Sequence, residues 1–162
     1  MESSDFTIGK VEPGRILFNR YRVEEELGRG GMGTVWLVHH LALDTPRVLK
    51  LIIPNIAFAS QAQARFKREA RVMARLSHPN AVIVHDTGMG RDAAFIEMEY
   101  VRGQSLNRLL KPGVPMPLDW TARILEQLCD VLQEAHALKI VHRDLKPSNL
   151  MLVEGRPPAR SN

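Results

Sequence analysis

Two segments of alternating side chains enclose a glycine-rich stretch near the start of the chain, and this pattern restricts the fold more than any other. In "YRVEEEL", residues 21–27 alternate, with Tyr21, Val23, Glu25 and Leu27 on one side, as a half-buried strand requires. The stretch "GRGGMG" interrupts the pattern, and "TVWLVHH" resumes it. The glycines are therefore predicted to join two strands in a hairpin.

Three more strands and one helix are predicted before residue 102. The segment "RVLKLII" is a third strand with Lys50 in its middle, and "AVIVHDTG" and "AAFIEMEYV" are two further strands. Residues 57–76 change to the helical period, with Phe66, Ala70 and Met73 on one side. Pro79 in "SHPN" ends this helix, because the residue before a proline disfavours helical backbone.

The chain turns helical after "RGQSL". Leu106, Leu109 and Leu110 predict a short helix, and Asp119 is the predicted N-cap of a long one. The apolar side of the long helix is predicted to contain Ile124, Leu128, Val131, Ala135 and Leu138. A β-rich part followed by an α-rich part is typical of an α+β protein with two lobes. The predicted boundaries are a leader at 1–20, a first lobe at 21–101, a second lobe at 102–153 and a disordered tail at 154–162.

Composition and charge narrow the class of protein. The 162 residues are 44% apolar and 25% charged, which is a globular mixture. No apolar run approaches the ~20 residues of a membrane helix, and the N-terminus lacks the apolar core of a signal peptide, so we expect a cytoplasmic chain with no membrane contact. Cys129 is the only cysteine, which excludes an internal disulfide, and we expect it to be a small core residue. The densest basic cluster, within residues 65–75, is expected to be a solvated helix face and not a nucleic-acid site.

The stretch "GRGGMGTV" has glycines at positions 28, 30 and 33, followed by Val35. This spacing is weak evidence by itself, since a plain turn accounts for it equally well. A dinucleotide site needs a helix after the glycines, so that the pyrophosphate meets the helix N-terminus, and here a strand follows. A glycine-rich hairpin can instead fold over a triphosphate, because missing side chains let backbone N–H groups approach the phosphate oxygens.

Lys50 is a charged residue inside an otherwise apolar strand, where an unpaired ammonium group is costly to desolvate. A lone lysine at such a position commonly reaches solvent through its flexible stem. Glu69, however, lies three residues after Phe66 and four before Met73, on the apolar side of the predicted helix. A pair of Lys50 and Glu69 would satisfy both charges and hold the lysine toward the α- and β-phosphates of a nucleotide.

The stretch "HRDLKPSN" covers His142 to Asn149. Asp144 is expected to accept a hydrogen bond from a substrate hydroxyl, Lys146 to neutralise the transferring phosphoryl group, and Asn149 to offer an oxygen to Mg²⁺. A polar surface turn is the alternative, since "KPSN" is a good turn sequence. The four fixed positions of H-R-D-x-x-x-x-N arise by chance in roughly 1 of 1,000 chains of this length, so phosphoryl transfer is favoured.

Taken together, these segments resemble a known family. "LGRGGMGTVW", Lys50 in "RVLK", Glu69 in "RFKREARVMARLSHPN", "FIEMEYVRGQSL" and "IVHRDLKPSNLML" follow the order and approximate spacing of a eukaryotic-like protein kinase. The "GGMG" and "HPN" segments resemble its bacterial serine/threonine branch. The resemblance extends from about Tyr21 to Val153. It implies a kinase-like first lobe, with a five-stranded antiparallel sheet and one helix, followed by an incomplete helical lobe that ends after the catalytic loop.

The resemblance also implies roles for individual residues. Asp144 and Lys146 would be catalytic, and Asn149 would bind Mg²⁺. Met98 would guard the back of the adenine pocket, and residues 99–101 would form the hinge whose backbone hydrogen-bonds the adenine. The residues implied to contact ATP are Leu27, Gly28, Arg29, Gly30, Gly31, Met32, Gly33, Thr34, Val35, Val48, Lys50, Glu69, Met98, Glu99 and Val101. The implied reaction transfers the γ-phosphate of ATP to a Ser/Thr hydroxyl of a protein substrate.

Two departures from the family pattern affect these expectations. Val48 stands where many kinases have alanine, which would narrow the adenine pocket slightly. No Asp-Phe-Gly occurs in the sequence and no aspartate follows Asp144, so the main Mg²⁺-binding carboxylate of the family is missing. We therefore expect little or no activity from this chain alone, and an exposed apolar side on the long helix that a partner would cover.

Two hypotheses stay open at this point. The chain is either the N-terminal portion of an active serine/threonine kinase, or a nucleotide-binding pseudokinase or interaction module. Lys50, Glu69 and Asp144 are all intact, which favours the first, because a protein freed from catalysis need not keep them.

Overall fold

The computed structural model of the protein describes residues 9–30, 33–52, 73–89 and 94–155. The chain divides into two compact units. The first contains the segments up to Arg75 and from Ile83 to Tyr100, and the second contains Leu76–Val82 and the chain from Val101 onward. Several predictions fall outside the described residues. They concern Gly31, Met32, Glu69, nearly all of the helix at 57–76 with its basic cluster, and the tail from residue 156.

The first unit is a six-stranded antiparallel sheet. Its strands are β1 (Ile16–Leu17), β2 (Tyr21–Gly30), β3 (Gly33–His40), β4 (Thr45–Ile52), β5 (Val84–Met89) and β6 (Ala94–Glu99). They lie in the order β1-β2-β3-β4-β6-β5, and every neighbouring pair is antiparallel. The five strands predicted from the sequence are confirmed, and β2 pairs with β3 as the alternating pattern predicted.

The core of this unit lies on one face of the sheet. Tyr21, Val38 and Leu49 have no exposed surface, and the same cluster contains Leu17, Val23, Trp36, Leu51 and Phe95. Because side chains alternate along a strand, β2, β3 and β4 each contribute every second residue to this cluster. Removing these apolar side chains from water is the main force that holds the strands in one layer.

The segment before β2 also belongs to this core, which differs from the leader predicted at residues 1–20. β1 pairs with β2, Leu17 is 3% exposed, and Val11 and Phe18 pack against the core cluster. Phe18 and Asn19 both have positive φ, and the N–H of Arg20 donates to the carbonyl of Leu17 at 3.0 Å, which closes a tight hairpin turn. A phenylalanine at positive φ is uncommon, so Phe18 gives no turn signal in the sequence.

The second unit combines two helices with a small sheet. Its elements are β7 (Gly103–Ser105), α1 (Leu106–Leu109), α2 (Leu118–Ala137), a 3₁₀ turn (Pro147–Asn149) and β8 (Met151–Val153), with β7 and β8 antiparallel. Both predicted helices are confirmed. The predicted N-cap is wrong, because Pro117 takes that position and Asp119 lies in the first turn, where its carboxylate faces the positive end of the helix dipole. Neither described helix is long and apolar enough to cross a membrane.

The predicted apolar side of α2 is only partly covered within the described chain. Ala135 is buried and Ile124, Leu128 and Val131 are half-buried, whereas Leu138 is 40% exposed at the C-cap. Ala135 is therefore the one residue of this helix that the described chain buries.

A second stripe on α2 is exposed and includes the cysteine. Leu118 is 83% exposed and Leu125 is 53% exposed. Cys129 follows Leu125 by four residues, lies on the same side of the helix, and is exposed as well. The prediction that Cys129 is a core residue is therefore wrong, because an apolar helical pattern does not specify which of two apolar sides is buried.

Candidate functional site

The glycines of the β2–β3 hairpin have different structural roles. Around Gly28 and Gly30, no described atom lies within 4 Å of the position that a Cβ would occupy. Gly33 has a φ of +136°, and a Cβ there would collide with the carbonyl oxygen of Leu51 on β4. The fold therefore requires glycine at position 33. At Gly28 and Gly30, glycine leaves open space through which a ligand can approach the backbone.

We expect alanine substitutions to separate these two roles. Gly33→Ala should lower the free energy of unfolding by about 1–3 kcal/mol, because the backbone conformation is unfavourable for alanine and β4 must shift. Gly30→Ala should change it by less than about 0.5 kcal/mol, because the added methyl group meets no neighbour. Urea denaturation followed by circular dichroism measures both values. Equal losses of stability would contradict the assignment.

Four of the predicted nucleotide-binding residues of β3, β4 and β6 lie on one face of the sheet, opposite to the core. Lys50 pairs with Val35 of β3 and with Ile96 of β6, and Val48 pairs with Met98. Directly paired residues project from the same face. We call the face that carries Val35, Val48, Lys50 and Met98 the Lys50 face. The half-buried Lys50 thus places an amine beside an apolar surface built by three strands.

Two predicted contact residues have side chains on the other face. Thr34 is 6% exposed, and its hydroxyl accepts a hydrogen bond from the Trp36 indole N–H at 2.9 Å. The Glu99 carboxylate accepts the backbone N–H of Ile83 at 2.8 Å, and the Glu99 N–H donates to the Ile83 carbonyl at 2.9 Å. A ligand on the Lys50 face can therefore reach Thr34 and Glu99 only through their remaining backbone groups.

Arg29 is held beside the glycines by an acidic neighbour. Its Nε and one terminal nitrogen donate to the two carboxylate oxygens of Glu26, at 3.0 and 2.7 Å. The hydrogen bond to Glu26 raises the pKa of the Arg29 guanidinium, which keeps its charge at any physiological pH. A bidentate ion pair of this kind fixes the orientation of the arginine side chain. Leu27 lies between the two partners in the chain and is 38% exposed.

Asp144, Lys146 and Asn149 form one cluster in the second unit. The Lys146 ammonium lies 2.8 Å from the Asp144 carboxylate, and the Asn149 side-chain amide donates to the same carboxylate at 3.2 Å and to the Asp144 carbonyl at 2.8 Å. Hydrogen bonds from Lys146 and then Asn149 lower the pKa of Asp144. The carboxylate is more than half exposed and ionised at neutral pH, so it can accept a hydrogen bond from a substrate hydroxyl.

The backbone around this cluster is fixed by several hydrogen bonds. The N–H of Asp144 donates to His142 Nδ1 at 3.3 Å, and the N–H of Asn149 donates to the Lys146 carbonyl at 2.9 Å. The Leu150 carbonyl accepts the N–H of Leu106 at 2.7 Å, which ties the end of the loop to the start of α1. Arg143 has a φ of +62°, an uncommon conformation for a residue with a side chain. This turn immediately precedes Asp144.

One contact near the predicted "HPN" stop signal was not predicted from the sequence. His78 has a side chain that is 8% exposed, with Nε2 3.1 Å from the Asp130 carboxylate of α2. Its Nδ1 accepts the N–H of Asn80 at 3.1 Å, so Nε2 carries the proton that is shared with Asp130. This histidine therefore connects the segment after residue 76 to the long helix within the second unit.

The described residues provide little for a metal ion. No group of three or more His, Cys, Asp or Glu side chains among them is arranged to hold one. Asn149 donates through its amide nitrogen, so its Oδ1 is the atom that can bind a cation.

The residues predicted to form the hinge belong to both units. Val101 begins the second unit, whereas Glu99 ends β6 in the first.

Comparison with protein families gives one match that covers most of the chain. The family model described as "Protein kinase domain" matches residues 21–157. Among curated proteins, serine/threonine-protein kinase pkn3 of Myxococcus xanthus is 41% identical over 140 residues, which is 86% of this chain and 26% of that protein. The probable serine/threonine-protein kinase PknB of Lactococcus lactis is 36% identical over 143 residues, which is 88% of this chain and 23% of that protein.

Solved structures agree with this match. The kinase domain of Mycobacterium tuberculosis PknI superimposes with a TM-score of 0.79 and 32% sequence identity, covering 91% of this chain and 59% of that one. The chain thus spans about a quarter of the length of the two curated relatives and about three fifths of the PknI kinase domain.

Proposed function

The chain belongs to the protein kinase domain family, and from this membership we propose that it forms the ATP-binding and catalytic-loop part of a bacterial-type serine/threonine protein kinase. The proposed reaction is transfer of the γ-phosphate of ATP to a Ser/Thr hydroxyl of a protein substrate. The observation that carries the proposal is the cluster of Asp144, Lys146 and Asn149, which presents an ionised carboxylate beside a cation.

The division of roles follows from the two sites. On the Lys50 face, the adenine would pack against Val48 and Met98, and Lys50 would meet the α- and β-phosphates, with Glu69 as its partner. The open backbone at Gly28 and Gly30 would cover the triphosphate. Because the N–H of Glu99 is already donated to Ile83, the hinge must recognise adenine through other backbone groups of residues 99–101.

In the second unit, Asp144 would orient the substrate hydroxyl and Lys146 would neutralise the charge on the transferring group. Mg²⁺ is the metal of this family, and it normally binds one or two carboxylates together with phosphate oxygens. The residues present fit this ion incompletely, because Asn149 supplies a neutral oxygen and the described residues contain no acidic cluster.

The location and partners are part of the same proposal. A chain that uses ATP is expected on the cytoplasmic side of the cell, where this nucleotide is available. The expected substrate is a protein with an accessible Ser or Thr, and a second protein surface is expected to cover the exposed stripe of α2 at Leu118 and Leu125.

Nucleotide binding tests this proposal directly. We expect Lys50→Met to weaken the binding of a fluorescent ATP analogue by at least about tenfold, since one charge–phosphate contact contributes more than about 1.4 kcal/mol in a partly buried site. Lys10→Met removes the same charge from an exposed position in the same unit, 3.1 Å from Glu12, and should change the affinity less than about twofold. Fluorescence titration measures both constants. Equal affinities for all three proteins would overturn the assignment of Lys50.

A further inference from the structure

Glu97 is a carboxylate buried in the core face of the first unit. It is 3% exposed and lies in β6 directly before Met98. The Tyr21 hydroxyl donates to one of its oxygens at 2.7 Å, and Arg47 Nε lies 3.2 Å from the other. The Arg47 N–H is not aimed well enough to form a hydrogen bond, so this second contact is an ion pair. Glu97 thus connects strands β2, β4 and β6.

Tyr21 is a reliable donor in this arrangement. Burial, and then the hydrogen bond to Glu97, raise the pKa of its hydroxyl, so it keeps its proton throughout the physiological range. Arg20 approaches the same oxygen at 3.3 Å, binds Asp86 of β5 at 2.7 Å, and lies 5.7 Å from the centre of the Tyr21 ring. The Tyr21 hydroxyl therefore donates a hydrogen bond to Glu97 and accepts one from Arg20.

The contact between Tyr21 and Glu97 spans the sheet. Strands β2 and β6 are not neighbours, because β3 and β4 lie between them. β2 carries Gly28 and Gly30, whereas β6 carries Met98 and Glu99. One buried hydrogen bond thus joins the strand of the glycine hairpin directly to the strand of the adenine pocket. The backbone hydrogen bonds of the sheet connect β2 to β6 only through the two intervening strands, β3 and β4.

A contribution to stability does not by itself explain why the Glu97 carboxylate is buried. Replacing a buried ion pair by apolar side chains of similar volume is often neutral or stabilising, because the charges must be desolvated. Hydrogen bonds are directional, so they constrain the relative position of two elements more closely than apolar contacts do. A buried carboxylate that bonds two other strands is therefore suited to fix geometry.

We propose that Glu97 is a positioning residue for nucleotide binding, which holds the glycine hairpin at the distance from the adenine pocket that a triphosphate requires. The inference rests on the proposed function. Glu97 acts through Tyr21 and Arg47 from the face opposite to Lys50, and it does not touch the nucleotide itself.

Two ligands of different length test the inference. Adenosine needs only the adenine pocket on β4 and β6, whereas ATP also needs the hairpin. Tyr21→Phe removes only the donor hydroxyl, and Glu97→Leu removes the acceptor carboxylate. We expect each to weaken ATP binding by about fivefold, as for the loss of one hydrogen bond, and to leave adenosine binding within about twofold of the wild type. The double variant should be little worse than either single variant, because both break the same bond.

The control is Val38→Ala, which removes core volume from the same face and keeps both the Tyr21 hydroxyl and the Glu97 carboxylate. It should lower the melting temperature and leave the ratio of ATP to adenosine affinity unchanged. An unchanged ratio in Tyr21→Phe would overturn the inference, whether both affinities fall together or neither falls. If Glu97→Leu fails to fold, Tyr21→Phe still decides the question. A wild-type chain that binds neither ligand would instead overturn the proposed function.

Discussion

Arg47→Met should lower the free energy of unfolding of the first unit by about 3–5 kcal/mol. The substitution removes the cation beside the 3% exposed Glu97 and, among the described residues, leaves the buried carboxylate with the Tyr21 hydroxyl as its partner. Removing one partner of a buried pair costs this much because the remaining charge is desolvated without compensation. Trp36 is buried in the same unit, and Trp120 lies in α2 of the second, so Trp36 fluorescence in a Trp120→Phe background follows the first unit during urea unfolding.

Two comparisons make this prediction specific. The double variant Arg47→Met and Glu97→Leu should recover most of the loss, because it removes both charges together. Arg20→Met breaks a half-exposed pair with Asp86 and should cost only about 1 kcal/mol or less. A loss below about 1 kcal/mol in Arg47→Met would mean that solvent or a rearranged side chain compensates Glu97, and the prediction would then be wrong.

The strands of the first unit were predictable because alternation is a local signal. In β3, Trp36 and Val38 alternate with residues of the opposite face, and the structure buries both. β1 was not predictable, since it has only two residues and its turn contains Phe18 at a positive φ. Its position depends on Leu17 fitting a core that other strands build.

The contacts of the candidate site also differ in how well the sequence predicts them. Asp144, Lys146 and Asn149 lie within six consecutive residues, so one loop brings them together and the motif predicts the cluster. The buried contact between Tyr21 and Glu97 joins residues 76 positions apart. Only the sheet order and the strand register place them together, and no sequence pattern specifies either.

Register also decides which predicted residues can use their side chains. Thr34 stands between Gly33 and Val35 in a strand that the sequence identifies correctly. Its side chain nevertheless faces Trp36 in the core, because the odd positions of β3 share the face of Lys50 and the even positions share the core face. A motif names a position, whereas the pairing of the strand determines whether that position offers a side chain or only its backbone.

With ATP, Mg²⁺ and a Ser/Thr-containing protein such as casein, this 162-residue chain should transfer no measurable γ-phosphate. Kinases turn over about 1–100 times per second, and their metal ions neutralise much of the charge that develops in the transition state. Here the only acidic residue after Asp144 is Glu154, and its backbone N–H is bonded to Arg102 at the end of β8. The described residues thus leave the neutral Asn149 as the candidate ligand.

The same reasoning predicts that Mg²⁺ changes ATP affinity less than about threefold, since a single neutral oxygen contributes little to binding the ion. Titration of ATP with Mg²⁺ and with EDTA measures this ratio, and Asn149→Ala should leave it nearly unchanged. Transfer to casein that disappears in Asp144→Asn would prove the first expectation wrong, and a tenfold gain in affinity with Mg²⁺ would prove the second wrong.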